Sequence, residues 1–115
     1  IYTGEDTLSL HDALPILTKF TTEIGFKGMQ NPDEVGAAAV DYLRVAGHLV
    51  FGYMFARMAQ VALRAIAAGN ADPFYVAKLQ TARFYFAKLF PETVMLMRTA
   101  RAGSKVLMDT DAALA

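Results

Sequence analysis

The chain has 115 residues, 55% of them hydrophobic, and its formal net charge is zero. This length predicts one domain with a modest core, and a neutral chain excludes a general electrostatic attraction to nucleic acid or acidic membranes. Cysteine is absent from the sequence, which excludes disulfides and thiolate metal sites and is typical of a reducing, cytoplasmic compartment. Helix-forming residues dominate and strand-type alternation is scarce, so the composition favours an all-α fold.

Residues 1–16 share no pattern with the rest of the chain and resemble a translated sequencing adapter. Residues 6–16 read DTLSLHDALPI, which a run of consecutive adapter codons encodes, and residues 1–3 fit earlier bases of the same adapter. We therefore expect residues 1–16 to be a non-native leader, which leaves His11 and Asp12 without a functional role. The remaining residues carry 11 bases and 8 acids, a net charge of +3.

Residues 17–29 are predicted to form the tail of a truncated helix, with Phe20 and Ile24 on one face. A strong helix-start signal follows it. Asn31 is placed to cap the next helix and Pro32 fits its first position. The carboxylate of Glu34, three residues after the cap, is expected to reach back to the cap amide.

The second helix is predicted to span residues 32–68, because Gly69 and Asn70 supply a left-handed stop. One apolar face follows from residues at helical spacing: Leu43, Val50, Met54, Val61 and Ala65. Small residues indicate places where a neighbouring backbone approaches closely: Gly36, Gly47, Gly52, Ala56 and Ala59. The most hydrophobic run, residues 45–56, is shorter than the roughly 20 residues of a membrane span, so no membrane span is predicted.

His48 stands in this helix without a carboxylate or second histidine at ligand spacing. We interpret it as a packed or hydrogen-bonded core histidine rather than a catalytic or metal-binding one. The arginines Arg44, Arg57 and Arg64 are interpreted as solvated or paired with acids.

The third helix is predicted to span residues 73–108, with Asp72 as its cap and Pro73 at its first position. Its buried face is expected to comprise Tyr75, Leu79, Ala82, Phe86 and Leu89, and then Thr93, Leu96, Ala100, Gly103 and Leu107. Pro91 removes one backbone hydrogen bond and is expected to kink the helix near residues 87–90. The second and third helices are predicted to form an antiparallel hairpin in which residues equally far from Asn70 meet: Met54 with Phe86, and Val61 with Leu79.

No residue is assigned to a catalytic, cofactor-binding or metal-binding site. The sequence contains no nucleophile beside a base, no metal-ligand cluster and no phosphate-binding loop. Met95, Met97 and Met108 are interpreted as core fillers rather than as a cofactor site.

Two stretches carry a family resemblance. The first stretch consists of KLQTARFYF at residues 78–86 and LFPE at residues 89–92. It resembles the C-terminal helical domain of bacterial acyl-CoA dehydrogenases, the acetyl-CoA dehydrogenase-like module. The second stretch consists of DYL at residues 41–43 with Gly47, and ARMA at residues 56–59. It is similar to the preceding helix of that module. The resemblance covers residues 17–112, with Phe90 where leucine is more usual.

The resemblance implies a parent oxidoreductase that uses FAD to oxidise an acyl-CoA thioester between its α and β carbons, in fatty acid metabolism. It also implies an electron-transfer flavoprotein as the electron acceptor, upstream dehydrogenase domains as partners, and a homo-oligomer. The family's base and flavin contacts lie in those upstream domains, so Glu23, Glu34 and Glu92 are not assigned to the role of base. No cofactor is expected in this chain itself.

Three functions remain open. The first is a non-catalytic domain that packs on the catalytic body of such an enzyme or supports its oligomer. The second is a freestanding helical module for protein interaction. A third, a membrane-surface module that uses Arg57, Arg64, Arg83 and Lys88, is weaker because these residues form no single block in the sequence.

Overall fold

The computed structural model of the chain is entirely helical over the part it describes, which comprises the backbone of residues 10–109 and the side chains of residues 13–109. Its elements are α1 (Leu10–Gln30), α2 (Asp33–Ala67), α3 (Pro73–Phe84), a π-helical turn (Tyr85–Leu89), α4 (Glu92–Ala100) and α5 (Lys105–Met108). The predicted all-α class is confirmed. α2 is the central helix, and α1, α3 and α4 all pack against it.

α1 begins at Leu10 rather than at residue 17, so the helix extends into the segment predicted to be a leader. Ala13, Leu17, Phe20 and Ile24 recur at spacings of three and four, which continues one apolar face, and Ala13 is buried. Pro15 lies inside this helix and removes one backbone hydrogen bond without ending it. The side chains of His11 and Asp12 lie outside the described part of the structure. The foreign origin of residues 1–16 stays a prediction.

The ends of the long helices follow the predicted start and stop signals. The Asp72 carboxylate accepts a hydrogen bond from the Phe74 amide at 2.9 Å, and the Asn31 side chain accepts one from the Asp33 amide at 3.1 Å. Gly69 has a φ of 91°, the left-handed conformation that ends α2. The prediction for Glu34 is wrong: its carboxylate accepts hydrogen bonds from the hydroxyl and the amide of Ser104 instead.

The predicted third helix is divided into shorter elements. The Phe90 amide donates to the Tyr85 carbonyl five residues back, at 2.9 Å, and this widened turn comes directly before Pro91. The irregularity therefore lies where the Pro91 kink was predicted. The helix does not continue to residue 108, because it ends after Ala100 and Gly103 adopts a φ of 87° before α5 begins.

The predicted apolar face of α2 is wrong. Leu43, Val50, Met54 and Val61 are all more than half exposed. The buried residues of this helix are instead mostly small: Ala38, Val45, Leu49, Gly52, Ala56, Ala59 and Ala62. Small side chains let a neighbouring backbone approach closely, so they form the contact surface and the larger side chains face outward. Gly52, Ala56 and Ala59 are among the small residues for which the sequence analysis predicts such close contacts.

Two separate cores follow from this packing. The body core is formed by α1, the first half of α2 and α4, and contains Phe20, Ala38, Val45, Leu49, Leu96 and Ala100. The second core contains only α2 and α3 residues: Ala59, Ala62, Leu79 and Ala82. We call residues 51–89, which surround this second core, the hairpin arm. The predicted burial of Leu79 and Ala82 is confirmed, whereas that of Leu89 and Leu107 is wrong, because they are 44% and 59% exposed. The outward position of Met54 and Val61 contradicts the pairing by distance from Asn70.

The molecule is elongated, with extents of 68 × 27 × 17 Å and a radius of gyration of 18.8 Å. A compact chain of this length has a radius of gyration of about 13 Å. The excess reflects the hairpin arm, which extends beyond the body as a two-helix structure. α2 is long and apolar enough to cross a membrane by length and composition alone, a criterion that core helices of globular proteins also satisfy.

Candidate functional site

A polar cluster occupies the junction between the body and the hairpin arm. α2 contributes Arg44 and His48, which lie one helical turn apart; the π-helical turn contributes Tyr85; and α4 contributes Glu92 in its first turn. Helices that are distant in sequence thus bring four side chains together. The widened turn before Pro91 sets where Tyr85 and Glu92 stand relative to α2.

Tyr85 is the centre of this cluster. Its side chain is buried, its ring stacks on Phe55 with centroids 4.5 Å apart, and its ring edge meets Phe86 at 5.5 Å. Its hydroxyl donates to the His48 backbone carbonyl at 3.0 Å and lies 3.0 Å from the His48 Nδ1. Because the Tyr85 hydroxyl donates its hydrogen to the carbonyl, its oxygen can accept a hydrogen bond from the Nδ1–H of His48. Burial raises the pKa of Tyr85 to about 12, and the negative charge of Glu92 acts in the same direction.

Glu92 connects the other two members. Its carboxylate forms an ion pair with Arg44, and the same oxygen lies 3.6 Å from the His48 Nε2. The prediction of a hydrogen-bonded core histidine is confirmed, although no local sequence pattern indicated the carboxylate that the fold places beside it. Arg44 is paired with an acid, one of the two alternatives stated for it.

The chemistry of this junction favours a structural role. A tyrosine whose pKa is raised stays protonated at neutral pH, so it is a poor base. Its hydroxyl contacts His48, and the Glu92 carboxylate is paired with Arg44. The cluster therefore fixes the angle between arm and body.

Two further polar contacts fasten the opposite end of the body. Arg101 donates two hydrogen bonds to the Glu23 carboxylate, at 2.6 and 3.1 Å, and its guanidinium lies over the Phe20 ring. These bonds lower the pKa of Glu23, and the hydrogen bonds from Ser104 lower the pKa of Glu34. Glu23 and Glu34 thus join α1 and α2 to the residues that follow α4.

An apolar groove runs along the body between α1 and α2. It encloses about 500 Å³ and is lined by Thr21, Ile24, Gly25, Val35, Ala38, Ala39, Tyr42 and Leu43. Leu43 of this lining is 72% exposed, and among residues adjacent in sequence to the lining Val40 is 72% and Phe26 64% exposed. An apolar surface of this extent is typical of a face that packs against another protein or domain.

The described residues do not fit FAD, the cofactor that the resemblance implies for the parent enzyme. Phosphates are commonly held at helix N-termini preceded by glycine-rich turns. Here α2 begins with Asp33 and Glu34, α3 is capped by Asp72, and α4 begins with Glu92, so each of these three starts carries a negative charge that repels a phosphate. Among the described residues no group of three or more histidines, cysteines or acids is placed to hold a metal ion.

Comparison with known proteins gives one match. No curated protein and no solved structure matches the chain significantly. A protein family described as "Acetyl-CoA dehydrogenase C-terminal like" matches residues 4–111, which is nearly the whole sequence and begins within the predicted leader. The all-helical architecture and the sequence match agree with the resemblance drawn from residues 78–92. The chain belongs to the acetyl-CoA dehydrogenase C-terminal-like family.

Proposed function

We propose that this chain is the non-catalytic C-terminal helical domain of an FAD-dependent acyl-CoA dehydrogenase, and that it packs on the catalytic body of that enzyme or supports its oligomer. The family match carries the proposal. In the proposed parent, FAD, the catalytic base and the docking site for an electron-transfer flavoprotein all belong to the upstream domains.

The groove between α1 and α2 supports a packing role. Its lining is almost entirely apolar, and Leu43 in the lining is largely exposed, as is Val40, which follows the lining residue Ala39 in sequence. Burying apolar surface stabilises an interface by roughly 25 cal/mol per Å², so a groove of this kind favours contact with another domain. We propose that the catalytic body of the parent covers it.

The test uses the whole enzyme encoded by the uninterrupted upstream reading frame. Leu43→Glu places a charge in the proposed interface, and Val94→Glu, at a residue 74% exposed on α4, is the matched control. We expect Leu43→Glu to lower the thermal midpoint and the acyl-CoA-dependent dye reduction of the whole enzyme, and Val94→Glu to change neither. In the isolated chain both substitutions should be neutral. Equal behaviour of the two variants in the whole enzyme would refute packing through this groove.

A second test addresses the division of labour. The purified 115-residue chain is expected to show no flavin absorbance band and no dye reduction with acyl-CoA. A flavin band from the chain alone would overturn the non-catalytic assignment. Upstream sequence decides the alternative of a freestanding interaction module: flavin-domain sequence before residue 17 supports the dehydrogenase, whereas a start codon there supports the module.

A further inference from the structure

The basic residues of the chain are unevenly distributed over the fold. The hairpin arm carries five of them, Arg57, Arg64, Lys78, Arg83 and Lys88, and a single acid, Asp72, so its net charge is +4. The rest of the residues with described side chains carry six bases and six acids, a net charge of zero. The five bases form no single block in the sequence, because they are spread over more than thirty positions. The fold collects them on one projecting element.

Four of these five bases are directed to solvent, whereas Lys78 is half-buried and its ammonium lies 5.0 Å from the centroid of the Phe74 ring. Arg57, Arg64, Arg83 and Lys88 are exposed, and none of them forms an ion pair or side-chain hydrogen bond among the described residues. In the body, by contrast, Arg44 and Arg101 are both paired with glutamates. Unpaired charges of one sign on a protruding element attract a surface of the opposite sign.

The same arm exposes large apolar side chains between its charges. The more than half-exposed residues are Phe51, Met54, Val61, Phe74 and Phe84, and Val76 is 49% exposed. Within residues 13–109 no third element covers these side chains of the two helices, so this part of the arm is incomplete as a folding unit on its own. A partner must therefore present apolar surface as well as negative charge.

From this combination we infer that the hairpin arm, residues 51–89, binds an acidic protein surface with an apolar centre. A second copy of the arm is disfavoured, because pairing two arms brings together two charges of +4. A nucleic acid offers negative charge but little to cover Phe51, Phe74 and Phe84. The inference goes beyond the proposed function, since it concerns a property of the arm whatever domains precede the chain.

The arrangement of the basic residues favours a protein over a lipid surface. Arg57 and Arg64 are seven residues apart and share one face of α2. Arg83 lies on α3 and Lys88 in the π-helical turn, so the exposed bases are distributed over both helices of the hairpin. A flat bilayer contacts one face of a hairpin, whereas a concave acidic surface can meet charges on several faces.

The experiment uses the full 115-residue chain and a defined probe. The probe is a fluorescein-labelled amphipathic helical peptide of leucine and glutamate, and the control peptide has lysine in place of glutamate. Fluorescence anisotropy at low salt is expected to show saturable binding of the acidic peptide, weakened by added salt, and no binding of the lysine peptide. Absence of binding to the acidic peptide at low salt would overturn the inference.

Matched charge reversals locate the binding surface. Arg57→Glu with Arg64→Glu is expected to weaken binding about tenfold or more, because two attractive contacts become repulsive. Lys19→Glu with Arg98→Glu makes the same change of charge on the body and is expected to leave the affinity within about twofold. Circular dichroism of both double variants checks that they are folded. An equal loss in the two would overturn the assignment to the arm.

Two further measurements test the competing occupants. Sedimentation equilibrium is expected to show no dimer formed through the arm. A dimer that is abolished by Arg57→Glu with Arg64→Glu would overturn the inference, because a second copy would then cover the arm. Vesicles of phosphatidylcholine and phosphatidylglycerol in equal parts are expected to bind more weakly than the acidic peptide. Binding to the vesicles with none to the peptide would overturn the inference in favour of a lipid surface.

Discussion

Replacing Tyr85 by phenylalanine tests the junction between arm and body. The substitution removes one hydroxyl that donates to the His48 carbonyl and lies within hydrogen-bond distance of Nδ1 of the same residue, both at 3.0 Å. The ring remains, so the stacking on Phe55 at 4.5 Å is preserved. The change therefore isolates the hydrogen bonds from the packing.

The expected loss can be worked out from these contacts. Each hydrogen bond contributes about 0.5–1.5 kcal/mol net, so two give about 1–3 kcal/mol. The buried environment of the hydroxyl favours the upper part of that range, because the imidazole Nδ1 loses a partner in a place that water reaches poorly. In a domain of this size about 2 kcal/mol corresponds to a fall in the thermal midpoint of roughly 8–16 °C.

Urea unfolding monitored by circular dichroism gives the free energy of unfolding of each variant. Tyr53→Phe is the matched control, because Tyr53 is half-buried on the same helix as His48 and its hydroxyl has no hydrogen bond within the described residues. We expect its free energy of unfolding to change by less than about 0.5 kcal/mol. If Tyr85→Phe were no more destabilising than Tyr53→Phe, the hydrogen bonds of the junction would contribute nothing and the reasoning would be refuted.

Three further outcomes are expected. Leu79→Ala, in the core of the arm, should lower the free energy of unfolding by about 2–5 kcal/mol, and Val61→Ala, on the exposed face, by less than about 0.5 kcal/mol; similar losses in urea unfolding would contradict the observed face of α2. Thr93→Val should raise the thermal midpoint, because the Thr93 hydroxyl is buried without a hydrogen-bond partner; a lower midpoint would show that the hydroxyl is satisfied after all. The pKa of Glu34 is lowered from 4.5, mainly by the hydrogen bond from the hydroxyl of Ser104. Its ionised form therefore stabilises the fold above pH 4.5. This stability is lost as the pH falls through the lowered pKa. Glu34→Gln should therefore be less stable at neutral pH and lose less stability on acidification; thermal scans with the same pH dependence as the parent chain would rule this out.

Local signals along the sequence predict the helix ends well. A carboxylate before a proline, as at Asp72, or a glycine after the last apolar residue, as at Gly69, acts through atoms within a few residues. The structure has these signals in the predicted places. Gly103 is a signal of the same kind, and its importance was underestimated because the apolar repeat continued past it.

The buried face of α2 could not be predicted in the same way. This helix is apolar on all sides, so its sequence has no period that distinguishes the face toward the core from the face toward solvent. Close approach to α1, α3 and α4 selects the side with alanine and glycine, and only the positions of those other helices determine which side that is. Val50 and Met54 are as apolar as Val45 and Leu49 yet point outward.

The polar contacts were missed for a related reason. Arg101 and Glu23 are 78 residues apart, and Arg44 and Glu92 are 48 apart. Two residues so far apart in the chain produce no recognisable local sequence pattern. The partners of Glu23, Glu34 and Glu92 could be identified only once the helices were in place.

The division into two cores that share only α2 affects how the molecule opens. Amide hydrogens in the first half of α2 are covered by α1 and α4, whereas those near the turn at Gly69 are covered by α3 alone. Segments with fewer buried contacts open at a lower free energy than the rest of a domain. Amide hydrogen exchange is therefore expected to be fastest at the tip of the arm and slower near Tyr85. There the arm contacts the body, so its amides exchange only when the body also opens.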